Sequence, residues 1–407
     1  MRALVFDLSI PKYLLARAVG PRARALHYGP GSCFDLRDVP APTAPSPDFA
    51  ALLPTHTGVC GSDLAAVFFK SSVTLSAFAS FPTVFGHEVL ARVADPPANS
   101  ALRAGDRVVV DPFLSCAIRG VEGCPRCAEG SYATCERTGT GPLKGMMLGA
   151  CSALPGGFSE RMVAHRDQLF RVPDGVPDTV AVLTEPLTVG VHAVTRHPPR
   201  GAERVLVIGG GVIALAVIWA LRELYPDVEV TALALEDYQL DLASRLGAQR
   251  AHRPGRSDTV LDLGAALGSR VLQPTLGRPF LVGGFDRVFD CVGTRESLDD
   301  AMRLTRAGGT LVLLGCAGEI RDLDWSFVWS RELTIAGSLA YGFTDDPRVA
   351  PPSRRRTFAL TLDLLQTTSR PLDALVTHTF PLERFGQALE VSLDRRGARS
   401  VKAVLTP

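Results

Sequence analysis

The chain has 407 residues, 46% of them hydrophobic and 21% charged, which suits a soluble globular protein of two domains or a little more. Basic and acidic side chains nearly balance at a net charge of +1, so neither nucleic acid nor an anionic membrane is expected as a partner. The first twenty residues carry Asp7, Lys12 and Arg17 where a signal peptide would be apolar, and four of the nine cysteines crowd between positions 116 and 135. Reduced, metal-binding thiols in the cytoplasm are therefore expected, not a disulfide framework.

Short apolar runs at 3–6 and 107–110, set between Pro and Gly turns, read as a mainly β first part. Four prolines between Pro40 and Pro47 predict an extended surface connection. From Arg204 the texture changes. Strands are expected at 204–208, 228–234, 287–291, 310–314 and 333–337, alternating with helices at 212–224, 238–246 and 298–305. That alternation implies an α/β, doubly wound parallel sheet with helices on both faces. Residues 205–221 carry no charge, but they are barely long enough to cross a membrane and are broken by Gly209-Gly210-Gly211, so a buried strand entering a buried helix is expected. The tail predicts a helix at 354–366, flanked by Arg354-Arg355-Arg356, and a strand at 402–405.

Two groups of residues have metal-ligand character. Cys124, Cys127 and Cys135 are spaced C-x2-C-x7-C with Cys116 upstream, which suits a closed four-sulfur structural zinc site in a lobe over 113–138. Cys60, Gly86-His87-Glu88 and Glu185 can offer a thiolate, an imidazole and a carboxylate with one position left open, the pattern of catalytic zinc. Hydride leaves an alcohol carbon readily only when its oxygen is close to alkoxide, and zinc as a Lewis acid lowers that pKa. Cys60 and His87 are the first two ligands expected; Glu88 and Glu185 are the carboxylate candidates, direct or through water. Ser62 is placed to accept the substrate proton, and Asp63 to orient a ligand.

Gly209, Gly211 and Ala214 form G-x-G-x-x-A between a strand and a helix, with Val212 and Ile213 in the turn, as a pyrophosphate at a helix N-terminus requires. At the end of the next strand the expected acidic residue is Ala234. Glu236 and Asp237 follow, with no Arg or Lys before Arg245, which leans toward NAD and leaves NADP open.

Gly58-Val59-Cys60-Gly61-Ser62-Asp63, Gly86-His87-Glu88, Gly105-Asp106-Arg107-Val108, the cysteine lobe, Gly156-Gly157-Phe158, Glu185-Pro186-Leu187 with Val189-Gly190 and His192, and the glycine turn at 209 together resemble the zinc-dependent medium-chain alcohol dehydrogenase family. The Glu-Pro-Leu segment is most similar to its polyol and threonine dehydrogenase branches. The resemblance implies a catalytic domain with a partly open β-barrel (GroES-like) core at 1–186 and 339–407, an inserted Rossmann domain at 187–338, and a substrate cleft between them. It also implies one catalytic and one structural zinc, a nicotinamide dinucleotide held near Val292, Leu314 and Ser338, a small-molecule alcohol or carbonyl substrate, and a homodimer or homotetramer.

The chain departs from the family pattern in four places. Ala65 stands where a histidine passes the proton to solvent, Val121 where a lobe cysteine is usual, Ala91 for glycine, and Ala234 for the acidic residue. Phe68, Phe69, Leu75, Phe78, Phe81 and Phe85 make the loop before Gly86 apolar, with Lys70 its one charge, and favour an apolar alcohol or aldehyde over a sugar alcohol unless they fill the core. His192 either lines the cofactor cleft or packs. Cys33, Cys151, Cys291 and Cys316 are expected as structural thiols, and Trp325 and Trp329 as cleft or subunit-contact residues. A dinucleotide-binding sensor without catalysis, or a zinc-free quinone reductase, is the alternative; Cys60, His87, Glu88 and Glu185 oppose both.

Overall fold

In the computed structural model of the chain, which describes residues 1–20, 24–255 and 257–407, the charge-free run after Arg204 becomes a strand and a helix. Strand β1 (Arg204–Ile208) ends at Gly209, whose φ of +123° turns the chain into helix α1 (Val212–Leu224). Ala214 to Leu221 are all buried, as a helix with no polar face requires. Then come β2 (Glu229–Leu233), α2 (Asp237–Leu246), β3 (Arg250–His252), β4 (Phe285–Asp290), β5 (Thr305–Leu313) and β6 (Thr334–Gly337). The six strands pair in parallel in the order β3-β2-β1-β4-β5-β6. Strand order reverses between β1 and β4, which makes the sheet doubly wound and leaves the carboxyl ends as the place for ligands. Among the described residues no helix is long and apolar enough to cross a membrane.

The first part of the chain is a partly open, largely antiparallel barrel. Its sheet runs in the order Val376–Pro381, Lys402–Thr406, Phe49–Gly58, Glu88–Asp95, Arg107–Val110, Leu169–Arg171, with Met162–His165 also paired to Phe49–Gly58. A second sheet joins Phe34–Asp38, Arg2–Phe6 and Thr83–Val84. On the larger sheet, Leu52, Val89, Ala91, Val93, Val108 and Val110 alternate inward to form the core of the barrel. By compactness the chain divides into two units: Met1–Glu185 with Phe358–Thr367 and Leu375–Pro407, and Pro186–Thr357 with Thr368–Ala374.

Two local expectations are corrected. The tail helix is Thr357–Thr367, and Arg354, Arg355 and Arg356 lie in a strand, Ser353–Arg356, paired antiparallel with Phe343–Asp346. The acidic end of that partner draws the arginines out of the helix: the Asp346 carboxylate lies 2.7 Å from Arg348 and 3.7 Å from Arg355. This hairpin carries the second unit past position 338 to Thr357. The mainly β first part also holds a helix, Ile10–Val19, entered through a proline in its first turn. The segment between Asp38 and Phe49 has neither helix nor strand, as its prolines require.

Gly190 lies on the helix Thr184–Arg196 where a Cβ would fall 2.5 Å from the carbonyl carbon of Ala216 on α1. Gly190→Val should therefore lower stability by about 1–3 kcal/mol, measured as an earlier urea midpoint with an unchanged slope.

Candidate metal and dinucleotide sites

The cysteine lobe is built from three tight turns. Helix Cys116–Arg119 stops at Gly120 (φ +65°), helix Pro125–Ala128 is capped by Cys124, and a 3-10 turn ends before Cys135. The four sulfurs lie within 4.8 Å of one another, with Cys116 to Cys135 at 3.5 Å and Cys124 to Cys135 at 4.0 Å. Tetrahedral zinc with Zn–S near 2.3 Å sets sulfurs about 3.8 Å apart, so this set fits it. Burial opposes ionisation of Cys124, but N–H groups of Cys127 and Glu136 outweigh it and bring its pKa down to about 6. The buried Arg119 ties the lobe down by donating to the carbonyls of Leu114, Leu143 and Gly145.

The second group sits where two loops meet backbone to backbone. Gly86 has φ +97°, and a Cβ there would lie 2.7 Å from the Phe158 nitrogen; one on Gly156 would lie 2.4 Å from the Gly86 oxygen. Gly157 and Phe158 N–H groups donate to Gly86 and Phe85 carbonyls at 2.8 and 2.9 Å. Bare glycines thus let the loops close and place His87. Cys60 caps the helix Gly61–Val67, and its N–H donates to the Asp63 carboxylate at 2.9 Å. The other Asp63 oxygen is 3.6 Å from His87 Nδ1, which leaves Nε2 to face a metal. Burial alone would discharge His87, but Asp63 and Cys60 overcome it and raise its pKa well above the ordinary value. Zinc binding at His87 therefore competes with a proton.

Cys60, His87 and Glu88 offer donor atoms within 4.8 Å of one another. Glu88 is already engaged, however. Both its oxygens accept from the buried Lys402 ammonium, at 2.7 and 2.6 Å, and the third Lys402 proton goes to the Val59 carbonyl at 3.1 Å. Burial disfavours charge on Lys402, yet Glu88, then Cys60 and Glu185, hold it protonated. A Cβ on Gly58 would strike Glu88 Oε2 at 2.0 Å, so this glycine makes room for the pair. Glu185, buried in the first turn of Thr184–Arg196, stands outside the 4.8 Å group. Ser62 is half-buried in the first turn after Cys60.

The residues expected to hold a dinucleotide converge on the carboxyl edge of the parallel sheet. Gly209 follows β1, Ala234 β2, Val292 β4, Leu314 β5 and Ser338 β6, while Gly211, Val212, Ile213 and Ala214 open α1 and Glu236 caps α2. A Cβ on Gly210 would lie 2.2 Å from Gln239, and one on Gly293 2.8 Å from Gly315, so these turns pack without side chains and leave backbone facing the edge. Asp290 fixes the turn after β4, accepting from Val292 and Gly293 N–H groups at 2.9 and 3.2 Å and from Ser297 Oγ at 2.9 Å. The Ser338 hydroxyl is buried without a hydrogen-bond partner among the described residues, an orphaned group of the kind that a ligand satisfies. These residues fit a dinucleotide.

Other expectations resolve by packing. Phe6 meets Phe69, Phe81 and Phe85, while His27 and Tyr28 pack on Phe68, so those phenylalanines fill the core; Val73, Leu75 and Phe78 remain exposed. Burial takes the pKa of His192 down to about 4, so it is neutral. Cys33 and Cys151 are core residues, and Cys316 is exposed. Lys402 and Asp290 escaped the sequence reading; a lysine opening an otherwise apolar strand was the available signal. Lys402→Met should destabilise the protein by about 3–5 kcal/mol by leaving Glu88 buried and unpaired, and adding Glu88→Gln should recover part of that in thermal melts.

Two family models match the chain: the alcohol dehydrogenase GroES-like domain over residues 50–174 and the zinc-binding dehydrogenase over residues 212–352, well over half of it between them. L-idonate 5-dehydrogenase of Vitis vinifera is 29% identical over 352 residues, 85% of each chain. L-threonine 3-dehydrogenase of Anaeromyxobacter dehalogenans is 28% identical, over 90% of this chain and 93% of its own. Among solved structures, a zinc-binding dehydrogenase from Sinorhizobium meliloti bound to NADP is 25% identical with a TM-score of 0.70, over 92% of this chain and 96% of its own. The alcohol dehydrogenase rspB from Escherichia coli complexed with NADH, at 21% identity and a TM-score of 0.72 over 100% and 99%, shares the fold. With the two family models matched in succession along most of its length, the chain belongs to the zinc-dependent medium-chain dehydrogenases and uses zinc and NAD(P).

Proposed function

We propose that the protein moves a hydride between NAD(P) and an alcohol or its aldehyde or ketone at Cys60, His87 and Glu185, with the four-thiol lobe holding a second, structural zinc. The observation that carries this assignment is the Lys402–Glu88 pair. Because Lys402 already neutralises Glu88, the anionic Cys60 and Glu185 are left to balance a divalent ion, and His87 completes the donor set as a neutral ligand held by Asp63. Bound there, zinc supplies the Lewis acidity that makes the substrate hydroxyl acidic. Ser62 takes the hydroxyl proton. With Ala65 behind it, Ser62 passes the proton onward through water or the cofactor ribose. Glycine turns at 209, 293 and 315 bring backbone against the dinucleotide.

The first unit acts as the catalytic domain and the second as the dinucleotide-binding one, in the cytoplasm, where the thiols stay reduced. The apolar surface that Val73, Leu75 and Phe78 expose between Cys60 and His87 supports an alcohol with an apolar portion. The relatives with 25–29% identity act on idonate, threonine and sorbitol by name, so polar alcohols belong in any substrate screen. Self-association is proposed through the edge of β6 that pairs with no strand among the described residues, together with Trp325 and Trp329, exposed on the segment just before it in the chain.

Elemental analysis tests the metal assignment. Wild type should hold two zincs per chain, Cys60→Ala one with no dehydrogenase activity, and Cys135→Ser should lose the other together with thermal stability. One zinc in both wild type and Cys60→Ala would sink the hydride-transfer assignment. Light scattering should give at least twice the mass of one chain for wild type, falling toward one chain for Trp329→Asp.

A further inference from the structure

We infer that Arg253 decides between the two nicotinamide dinucleotides and that the protein accepts NADP(H) as well as NAD(H); this rests on the dehydrogenase reading above. In a sheet of this kind, an acidic residue at the end of the second strand takes the ribose hydroxyls and repels a 2′-phosphate. That position is Ala234, buried and unable to do either, followed by the exposed Leu235.

The register then matters. Leu233 of β2 pairs with His252 of β3, and the Ala234 N–H donates to the His252 carbonyl at 3.2 Å. One residue on, Arg253 therefore stands beside Ala234, at the carboxyl edge where the ribose must sit. Residue order conceals this, because the cation comes from the next strand and not from the loop after β2.

Among the described residues, Arg253 is held only by an exchangeable contact. Its Nη1 donates to both oxygens of Asp237, at 3.1 and 3.0 Å, with the two side chains 44% and 81% exposed. Exposed pairs of this sort contribute little, while a guanidinium fork matches a phosphate bidentately. Among the described residues, the other charged or titratable groups here are Glu236 and Asp237, which oppose a phosphate, Asp262, which lies 3.9 Å from His252, and His252 itself, whose pKa burial lowers so that it stays neutral. Arg253 offsets one of the two opposing carboxylates. The plain ribose, in turn, meets no dedicated carboxylate at Ala234, so neither dinucleotide is strongly excluded.

The test is direct binding of NADH and NADPH to the zinc-loaded protein without substrate, by calorimetry or dinucleotide fluorescence, on wild type, Arg253→Ala and Asp237→Asn. Both dinucleotides should bind wild type with dissociation constants within roughly tenfold of each other. Arg253→Ala should weaken NADPH by about tenfold or more and leave NADH within about twofold, because only the phosphate uses the guanidinium. Asp237→Asn, which frees the guanidinium and removes a like charge, should tighten NADPH. Wild type binding NADH but not NADPH, or an equal effect of Arg253→Ala on both, would overturn the proposal and leave the dehydrogenase assignment standing. Failure of wild type to bind either would overturn that assignment as well.

Discussion

The buried ion pair between Lys402 and Glu88 is the constraint on which the metal-binding part of this protein depends. Its partners are 314 residues apart in the chain, and both are almost wholly shielded from water. Taking two such charges out of solvent costs several kcal/mol each, roughly, and is tolerated only where every proton and lone pair finds a partner. Three acceptors around one ammonium, and a glycine at 58 that leaves room for the carboxylate, meet that demand. The pair also decides the chemistry next to it. A Glu88 already paired with Lys402 leaves the Cys60 sulfur as the donor beside His87, with Asp63 fixing both.

The dinucleotide edge rests on a different constraint, the parallel sheet itself. Parallel strands deliver all their carboxyl ends to one side, so residues far apart in sequence, from Gly209 to Ser338, reach one line without any long loop. Where the turns must then pass close to one another, glycine is used: Gly210 over Gln239, Gly293 against Gly315. Asp290, bonded to two backbone N–H groups and a serine, replaces the rigidity those glycines lack.

Much of this was legible in the sequence, for physical reasons. Residues 204–224 could be read almost to the residue because an apolar strand, a glycine turn and a wholly buried helix leave one arrangement that satisfies the backbone. The cysteine spacing and the Gly-His-Glu and Gly-Gly-Phe segments carry their own geometry. What stayed hidden came from pairing across distance. The arginines at 354–356 looked like a helix flank until the acidic strand at 343–346 claimed them. The loop phenylalanines looked available for substrate until Phe6, His27 and Tyr28 took up four of them. Lys402 and Arg253 are ordinary basic residues in order of sequence, and gain their meaning only from the strand beside them.

The distance between Lys402 and Glu88 has a consequence for how the chain is made. Everything that positions His87 is synthesised early, but its neighbour Glu88 waits for a counter-ion encoded beyond the whole parallel sheet. At a ribosomal rate of roughly 5–20 residues per second, the 314 residue steps from Glu88 to Lys402 take on the order of 15–60 s. Before that interval ends the inserted unit has all of its own strands and can fold first. The barrel strand with its buried carboxylate must stay open or partly hydrated until Lys402 arrives. The nascent chain is therefore expected to gain its dinucleotide edge before its catalytic metal centre, an order of assembly written into the position of one lysine.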